Sequence, residues 1–184
     1  MRIVSGKFKG IRFEPPNNIT ARPTTDFAKE GLFNVLSKFT DFEDITVLDL
    51  FAGTGSISYE FVSRRAKQVT AIEMSNTQIE FIKKIINKLK TGNLHIYKSE
   101  VFRFLEKCSE QYDLIFADPP YQMKESADLP KIIFERRLLK EDGIFVLEHG
   151  KNFSFKQDEN FIEERKYGNV RFSLFSYHGT FTLS

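Results

Sequence analysis

Asp118-Pro119-Pro120-Tyr121 follows the apolar run Tyr112–Ala117 and joins a carboxylate, a stiff diproline and an aromatic ring. Those types suit the exocyclic amine of a nucleobase. Such an amine is a poor nucleophile because its lone pair is delocalised into the ring, so alkylation requires it to be fixed and pyramidalised. Asp118 accepts one N–H and the Pro119 carbonyl another. A carboxylate beside a nitrogen that turns positive as the C–N bond forms acts where it is worth most. Asp118 or a water then takes the released proton. Pro119 and Pro120 restrict their own φ angles and the residues before them, and donate no N–H. Tyr121 offers a stacking face worth about 1–3 kcal/mol per base. A base reaches such a pocket only when splayed out of its helix or held in a loop. Taken alone, a diproline after a strand is merely a stop.

A second constellation lies upstream, where Asp49-Leu50-Phe51-Ala52-Gly53-Thr54-Gly55 runs from a strand into a glycine turn and then a helix. Glycines let the backbone approach a ligand, and the helix start offers free N–H donors. Glu73, followed by Met74, ends the next strand, where a carboxylate accepts the hydroxyl hydrogens of a ribose. Glu100 and Val101 follow the third strand, where an adenine edge would lie. This layout also serves nicotinamide dinucleotides. Two features disfavour them: Ser58 stands at the third glycine position, and Asp49 precedes Gly53 by four residues. A diphosphate is repelled by that carboxylate, whereas the sulfonium and ammonium of S-adenosylmethionine are drawn to it. The plain alternative for Asp49, a buried acid bonding its own loop, is compatible with that role.

The elements needed to position these groups are legible as alternation. Strand-like runs are Thr46–Leu50, Gln68–Ile72, Leu94–Tyr97, Tyr112–Ala117 and Ile144–Leu147, with helical candidates near 56–65, 76–90, 100–108 and 128–139 between them. Continuous apolar strands separated by helices predict an α/β, Rossmann-like fold, a mostly parallel sheet of seven strands covered on both faces. Phe161–Tyr167 and Val170–Tyr177 around Gly168-Asn169 predict a C-terminal antiparallel hairpin. An earlier helix starts at Thr24 or Thr25 as N-cap and buries Ala28, Leu32, Val35, Leu36 and Phe39. Before it, two short strands around Gly6 and Gly10 predict a small N-terminal hairpin. In a doubly wound sheet both chemical motifs fall at carboxyl ends of strands, near the switch point where ligands bind.

The 184 residues predict one domain, with 1–20 as a basic hairpin extension and 21–184 as the catalytic core. No apolar run is long enough to span a bilayer and no secretory signal precedes the first strand. Cys108 is alone, which fits a reducing cytoplasm. His95, His149 and His178 are scattered without cysteine pairs, so no metal is expected. The net charge is only +2, yet Arg2, Lys7, Lys9 and Arg12 crowd the first twelve residues without an acid. That patch either neutralises phosphates or guards an edge strand.

Arg22-Pro23-Thr24-Thr25-Asp26, with Glu30, Leu32, Phe33 and Asn34, resembles the N-terminal signature of the RsmD family, class I S-adenosylmethionine-dependent methyltransferases. The basic opening, the glycine loop and Asp118–Tyr121 fall in the family's order. The resemblance implies methylation of guanine N2 in small-subunit ribosomal RNA, presented within the subunit or its precursor to a monomeric enzyme. It implies that Asp49 to Gly55, Glu73, Met74, Glu100, Val101 and Asp118 hold the cofactor. Asp118 to Tyr121 would then hold the base, and Arg2, Lys7, Lys9, Arg12 and Arg22 would face RNA. For Arg22 an ion pair with Asp26 or Glu30 is the competing role. Phe27-Ala28-Lys29 departs from the family's Arg-x-Arg, and Tyr121 stands where some relatives have Phe. A DNA adenine-N6 methyltransferase also uses Asp-Pro-Pro-Tyr, but this chain has no room for a target reader. A non-catalytic nucleotide-binding module predicts a damaged site, which the motifs do not show.

Overall fold

The computed structural model describes residues 1–16 and 25–178. Seven strands form one sheet: β1 Thr46–Leu50, β2 Gln68–Glu73, β3 Leu94–Lys98, β4 Tyr112–Ala117, β5 Leu139–His149, β6 Phe161–Tyr167 and β7 Val170–Phe175. Their spatial order is β3-β2-β1-β4-β5-β7-β6. The first five are parallel, and β7 enters antiparallel between β5 and β6. Helices α1 Asp26–Leu36, α2 Ser56–Ser63, α3 Asn76–Leu89, α4 Val101–Lys107 and α5 Leu129–Glu135 cover the faces. The expected Rossmann-like architecture, a mostly parallel seven-stranded sheet with a C-terminal antiparallel hairpin, is the one observed. Among the described residues no helix is long and apolar enough to cross a membrane.

The central strands carry Val47, Leu48, Leu50, Leu114, Ile115 and Ala117 with no exposed surface, which explains their unbroken apolar runs. Strand alternation divides them into two cores. Val47, Val69, Leu114 and Phe116 pack with α1, α2 and α3, whereas Leu48, Leu50, Ile115 and Ala117 pack with α4 and α5. Thr25 caps α1, its hydroxyl accepting from Ala28 N at 3.2 Å. Thr24, Arg22 and the expected boundary at residue 20 lie outside the described residues.

Three expectations shift. The helix placed over 128–139 is a 3-10 turn, Lys124–Asp128, followed by α5, which ends at Glu135. β5 begins at Leu139, five residues before the expected start, and its register to β4 is irregular between Tyr112 and Leu114. Lys140, Glu141 and Asp142 occupy that irregular stretch, so no strand pattern marks it. The N-terminal hairpin closes without two regular strands. Ile3 N donates to Ile11 O at 3.0 Å and Gly10 N to Ile3 O at 2.8 Å, but only Arg2 and Arg12 form a bridge. Lys7 N and Phe8 N donate instead to Ser63 at the end of α2, at 2.7 and 2.9 Å.

Candidate active site

β1 and β4 are adjacent and parallel, with Leu50 opposite Ala117, so the segments that follow them leave the sheet side by side. The chain turns one way from β1 toward β2 and the other way from β4 toward β5, which makes this the switch point of the sheet. Asp118 N reaches Leu50 O at 3.5 Å across the junction. The glycine loop and the Asp-Pro-Pro-Tyr corner, distant in sequence, thus wall one cleft.

The loop is shaped by its glycines. Gly53 and Gly55 have φ of +57° and +78°, backbone that favours glycine. Gly55 caps α2 without a side chain, and its N–H donates to Ala52 O at 2.7 Å. A Cβ built on Gly53 meets nothing nearer than Phe51 O at 3.8 Å, so its outer side is open. Phe51 itself holds φ +63°. Leu50 is fully buried and Ala52 and Thr54 nearly so; these contribute backbone rather than side chain to a ligand. Ser56 Oγ and Tyr59 Oη beside the loop are buried without a hydrogen-bond partner among the described residues.

Glu73 fixes this loop to the end of β2. One carboxylate oxygen accepts from Gly53 N at 2.8 Å, the other from Met74 N and Ser75 N at 2.8 and 2.7 Å. The Gln78 amide nitrogen also donates to both oxygens, at 2.7 and 3.0 Å, and a ribose hydroxyl would take the place of that side-chain donor. Met74 projects outward, 66% exposed, at the rim. Glu100 has a different task from the one expected of its carboxylate. It caps α4, accepting from Phe102 N and Arg103 N at 3.0 and 2.9 Å, and Val101 beside it is buried.

Asp49 is 1% exposed and accepts from the Ser58 hydroxyl. Burial, together with the charges of Asp118 and Glu73, outweighs that hydrogen bond and pushes its pKa up to about 7. Ser58, read as the missing third glycine, is thus the partner of Asp49. Burial likewise lifts Asp118 to about 7. Pro119 is buried and Pro120 exposed. The Pro120 carbonyl accepts from Met123 N at 2.8 Å, while among the described residues no backbone N–H reaches that of Pro119. The Tyr121 ring stands 57% exposed over the cleft.

A site of clustered carboxylates, open glycine backbone and orphaned hydroxyls is unsuited to a diphosphate. It fits a cationic, ribose-bearing ligand such as S-adenosylmethionine. Asp49 and the loop would hold the charged end of that ligand and Glu73 its ribose.

Sequence reasoning missed Glu148. It follows Leu147, which pairs with Ala117, so it stands near the end of β5 beside the point where Asp118 leaves β4. An acid at a strand's carboxyl end, as at Glu73, was the available signal. Lys29 was also missed. Though part of the departure from the basic signature, it is 1% exposed and bonds Arg2 O at 2.5 Å and Glu60 at 3.4 Å. Arg2 is drawn to α1, pairing with Asp26 at 3.2 Å and Glu30 at 3.6 Å, the role considered for Arg22. Lys7, Lys9 and Arg12 remain exposed on the N-terminal segment. Phe27 is 69% exposed and sets its edge against Tyr167 at 5.8 Å.

Comparison with known proteins agrees with this layout. A family model described as conserved hypothetical protein 95 matches residues 1–176. A ribosomal RNA small subunit methyltransferase D of Buchnera aphidicola subsp. Baizongia pistaciae is 31% identical over 95% of this chain and 91% of its own length. One from Haemophilus influenzae is 30% identical over 95% and 93%. Among solved structures, the Escherichia coli yhhF protein superposes with a TM-score of 0.83 at 28% identity, covering 95% of this chain and 96% of that one. A structure titled SMU.776, a putative methyltransferase complexed with SAH, shares the fold at a TM-score of 0.66 and 16% identity, over 79% of this chain and 48% of that one. The chain belongs to the conserved hypothetical protein 95 family, that of the RsmD proteins its motifs resemble, and is a methyltransferase.

Proposed function

We propose that this protein transfers a methyl group from S-adenosylmethionine to the N2 amine of a guanine in small-subunit ribosomal RNA, acting as a cytoplasmic monomer on the subunit or its precursor. The observation that carries the reading is the shared cleft, with the Asp49–Gly55 loop on one strand end and Asp118–Tyr121 on its neighbour. The names of the relatives support ribosomal RNA as the substrate.

When bound, the cofactor supplies a methyl group on a positively charged sulfur. The chain's own residues do the rest. Asp49 and Glu73 offer negative charge and acceptors to the cationic, hydroxylated ligand. Asp118 and the Pro119 carbonyl accept the two N–H groups of the target amine and hold its lone pair toward the methyl. As nitrogen gains positive charge the Asp118 carboxylate opposes it, and the surplus proton leaves to Asp118 or to water. Tyr121 stacks on the base. Lys7, Lys9 and Arg12 reach RNA phosphates, with Arg22 and the partly engaged Arg2 beside them.

The test is incubation with radiolabelled cofactor and either unmethylated small ribosomal subunits or duplex DNA, followed by nucleoside analysis. N2-methylguanosine in the ribosomal RNA is expected. Label confined to DNA sinks the RNA reading, and another methylated nucleoside sinks the N2 assignment.

A further inference from the structure

Glu148 has no task in the mechanism above, yet it lies beside the reacting groups. It is 3% exposed, and its Oε2 has no hydrogen-bond partner among the described residues. It stands near the end of β5, level with the point where Asp118 leaves β4, since Leu147 and Ala117 are paired. Strand alternation puts its side chain on the face of Asp118 and Asp49, because Asp49 pairs with Phe116 and Phe116 with Val146. The Tyr121 side chain lies close enough to favour the charged form of this carboxyl, so Glu148 is linked to the stacking ring as well. An orphaned buried oxygen normally costs about 1–3 kcal/mol, a cost that persists where a ligand supplies the missing partner.

We infer that Glu148 reads the N1–H and C6=O edge of the target guanine while Asp118 holds its N2 amine. This rests on the guanine-N2 reading. Neighbouring strands lie about 4.8 Å apart, the scale of one Watson–Crick edge, so carboxyls on β4 and β5 reach opposite ends of that edge. A protonated carboxyl offers a carbonyl acceptor and a hydroxyl donor side by side, the complement of a lactam N–H and C=O. Glu148 is held in that form. Burial, with Asp118's charge adding to it, outweighs the effect of Tyr121 and lifts its pKa to about 9. The arrangement discriminates against a purine lacking the lactam, because both Glu148 groups then stay unpaired.

Three variants test it on unmethylated small subunits, with S-adenosylmethionine affinity measured separately by calorimetry. Glu148→Met keeps length and removes a buried carboxyl, so folding and cofactor Kd should stay within about threefold. Its kcat/KM should fall about a hundredfold, because the lactam N–H and C=O of the base both lose their partner. Glu148→Gln carries the same acceptor–donor pair without ionising and should stay within about tenfold of the wild type. Tyr121→Phe removes only the tether and should cost less than Glu148→Met. The inference is overturned if Glu148→Met methylates within threefold of the wild type. It also fails if Glu148→Met is no worse than Tyr121→Phe, which leaves Glu148 only an anchor for the ring. A Glu148→Gln as damaged as Glu148→Met removes the protonated-acid role, and decides the matter should the Met variant not fold. Failure of the parent reading shows in the wild type alone, as a product other than N2-methylguanosine.

Discussion

Cofactor binding should be coupled to proton release through Asp49. With no cation beside it, this carboxyl titrates near 7 because it is buried and faces Asp118 and Glu73; Tyr59 and Ser58 are its other polar neighbours. A sulfonium or ammonium brought alongside stabilises the carboxylate and lowers that pKa. Below pH 7 binding must therefore expel a proton, and Kd for S-adenosylmethionine should rise about tenfold for each pH unit lost. If Asp118 loses its proton in the same step the rise approaches a hundredfold, since it titrates in the same range. Calorimetry between pH 5.5 and 7.5, in two buffers of different ionisation enthalpy, counts the protons directly. Asp49→Asn should bind ten- to a hundredfold more weakly at pH 7.5, the loss of a charged hydrogen bond of about 1.5–3 kcal/mol, with a shallower pH dependence. A Kd that is flat over this window refutes the reasoning, because neither buried carboxyl would then be answering the cation.

Asp118→Asn should leave cofactor Kd within a few fold and lower turnover about 10²–10³-fold, the scale for removing one preorganised electrostatic contact; unchanged turnover in a single-turnover assay removes Asp118 from the mechanism. Lys7→Glu with Lys9→Glu should weaken RNA binding and flatten the plot of log K against log salt by about 0.7–0.9 per lost phosphate contact; an unchanged slope leaves the N-terminal segment a structural element only. Lys29→Met should destabilise the protein by about 3–5 kcal/mol, as removing one partner of a buried ion pair does. Glu60 would keep Arg64 and Val4 N but lose Lys29, and a melting temperature within two degrees of the wild type would contradict that assignment.

The sheet was readable where burial is two-sided. Thr46–Leu50 and Tyr112–Ala117 begin and end where their patterns place them, and β2 and β3 each run one residue further. The start of β5 was not, because Lys140, Glu141 and Asp142 sit where its register to β4 breaks and no face is consistently apolar. The two chemical motifs were legible because each is local, a glycine turn and a diproline, and the α/β alternation brings them together. What escaped is what only tertiary packing decides. Lys29 carries the composition of a surface residue and is buried against Glu60 from another helix. Arg2 is remote in sequence from Asp26 and Glu30, and only the fold of the N-terminal segment brings it to them. The N-cap role of Glu100 escaped as well: the residues after it need a cap and its carboxylate supplies one.

The carboxyls share a logic that runs from stability to function. Asp49, Glu73, Asp118 and Glu148 stand at the carboxyl ends of β1, β2, β4 and β5, and Asp49 feels the charges of both Glu73 and Asp118. Asp49 binds its proton more tightly folded than unfolded. Its ionisation therefore destabilises the ligand-free fold, by nothing below about pH 4 and fully above pH 7. A rise from 3.8 to about 7 corresponds to about 4 kcal/mol. Asp49→Asn should accordingly raise the melting temperature at pH 8, with the gain shrinking as the pH falls to 4. A variant that is more stable and binds cofactor less well marks a group retained for its ligand rather than for the fold. Equal melting temperatures at pH 8 would mean that solvent reaches Asp49, and its link to cofactor binding would weaken with it.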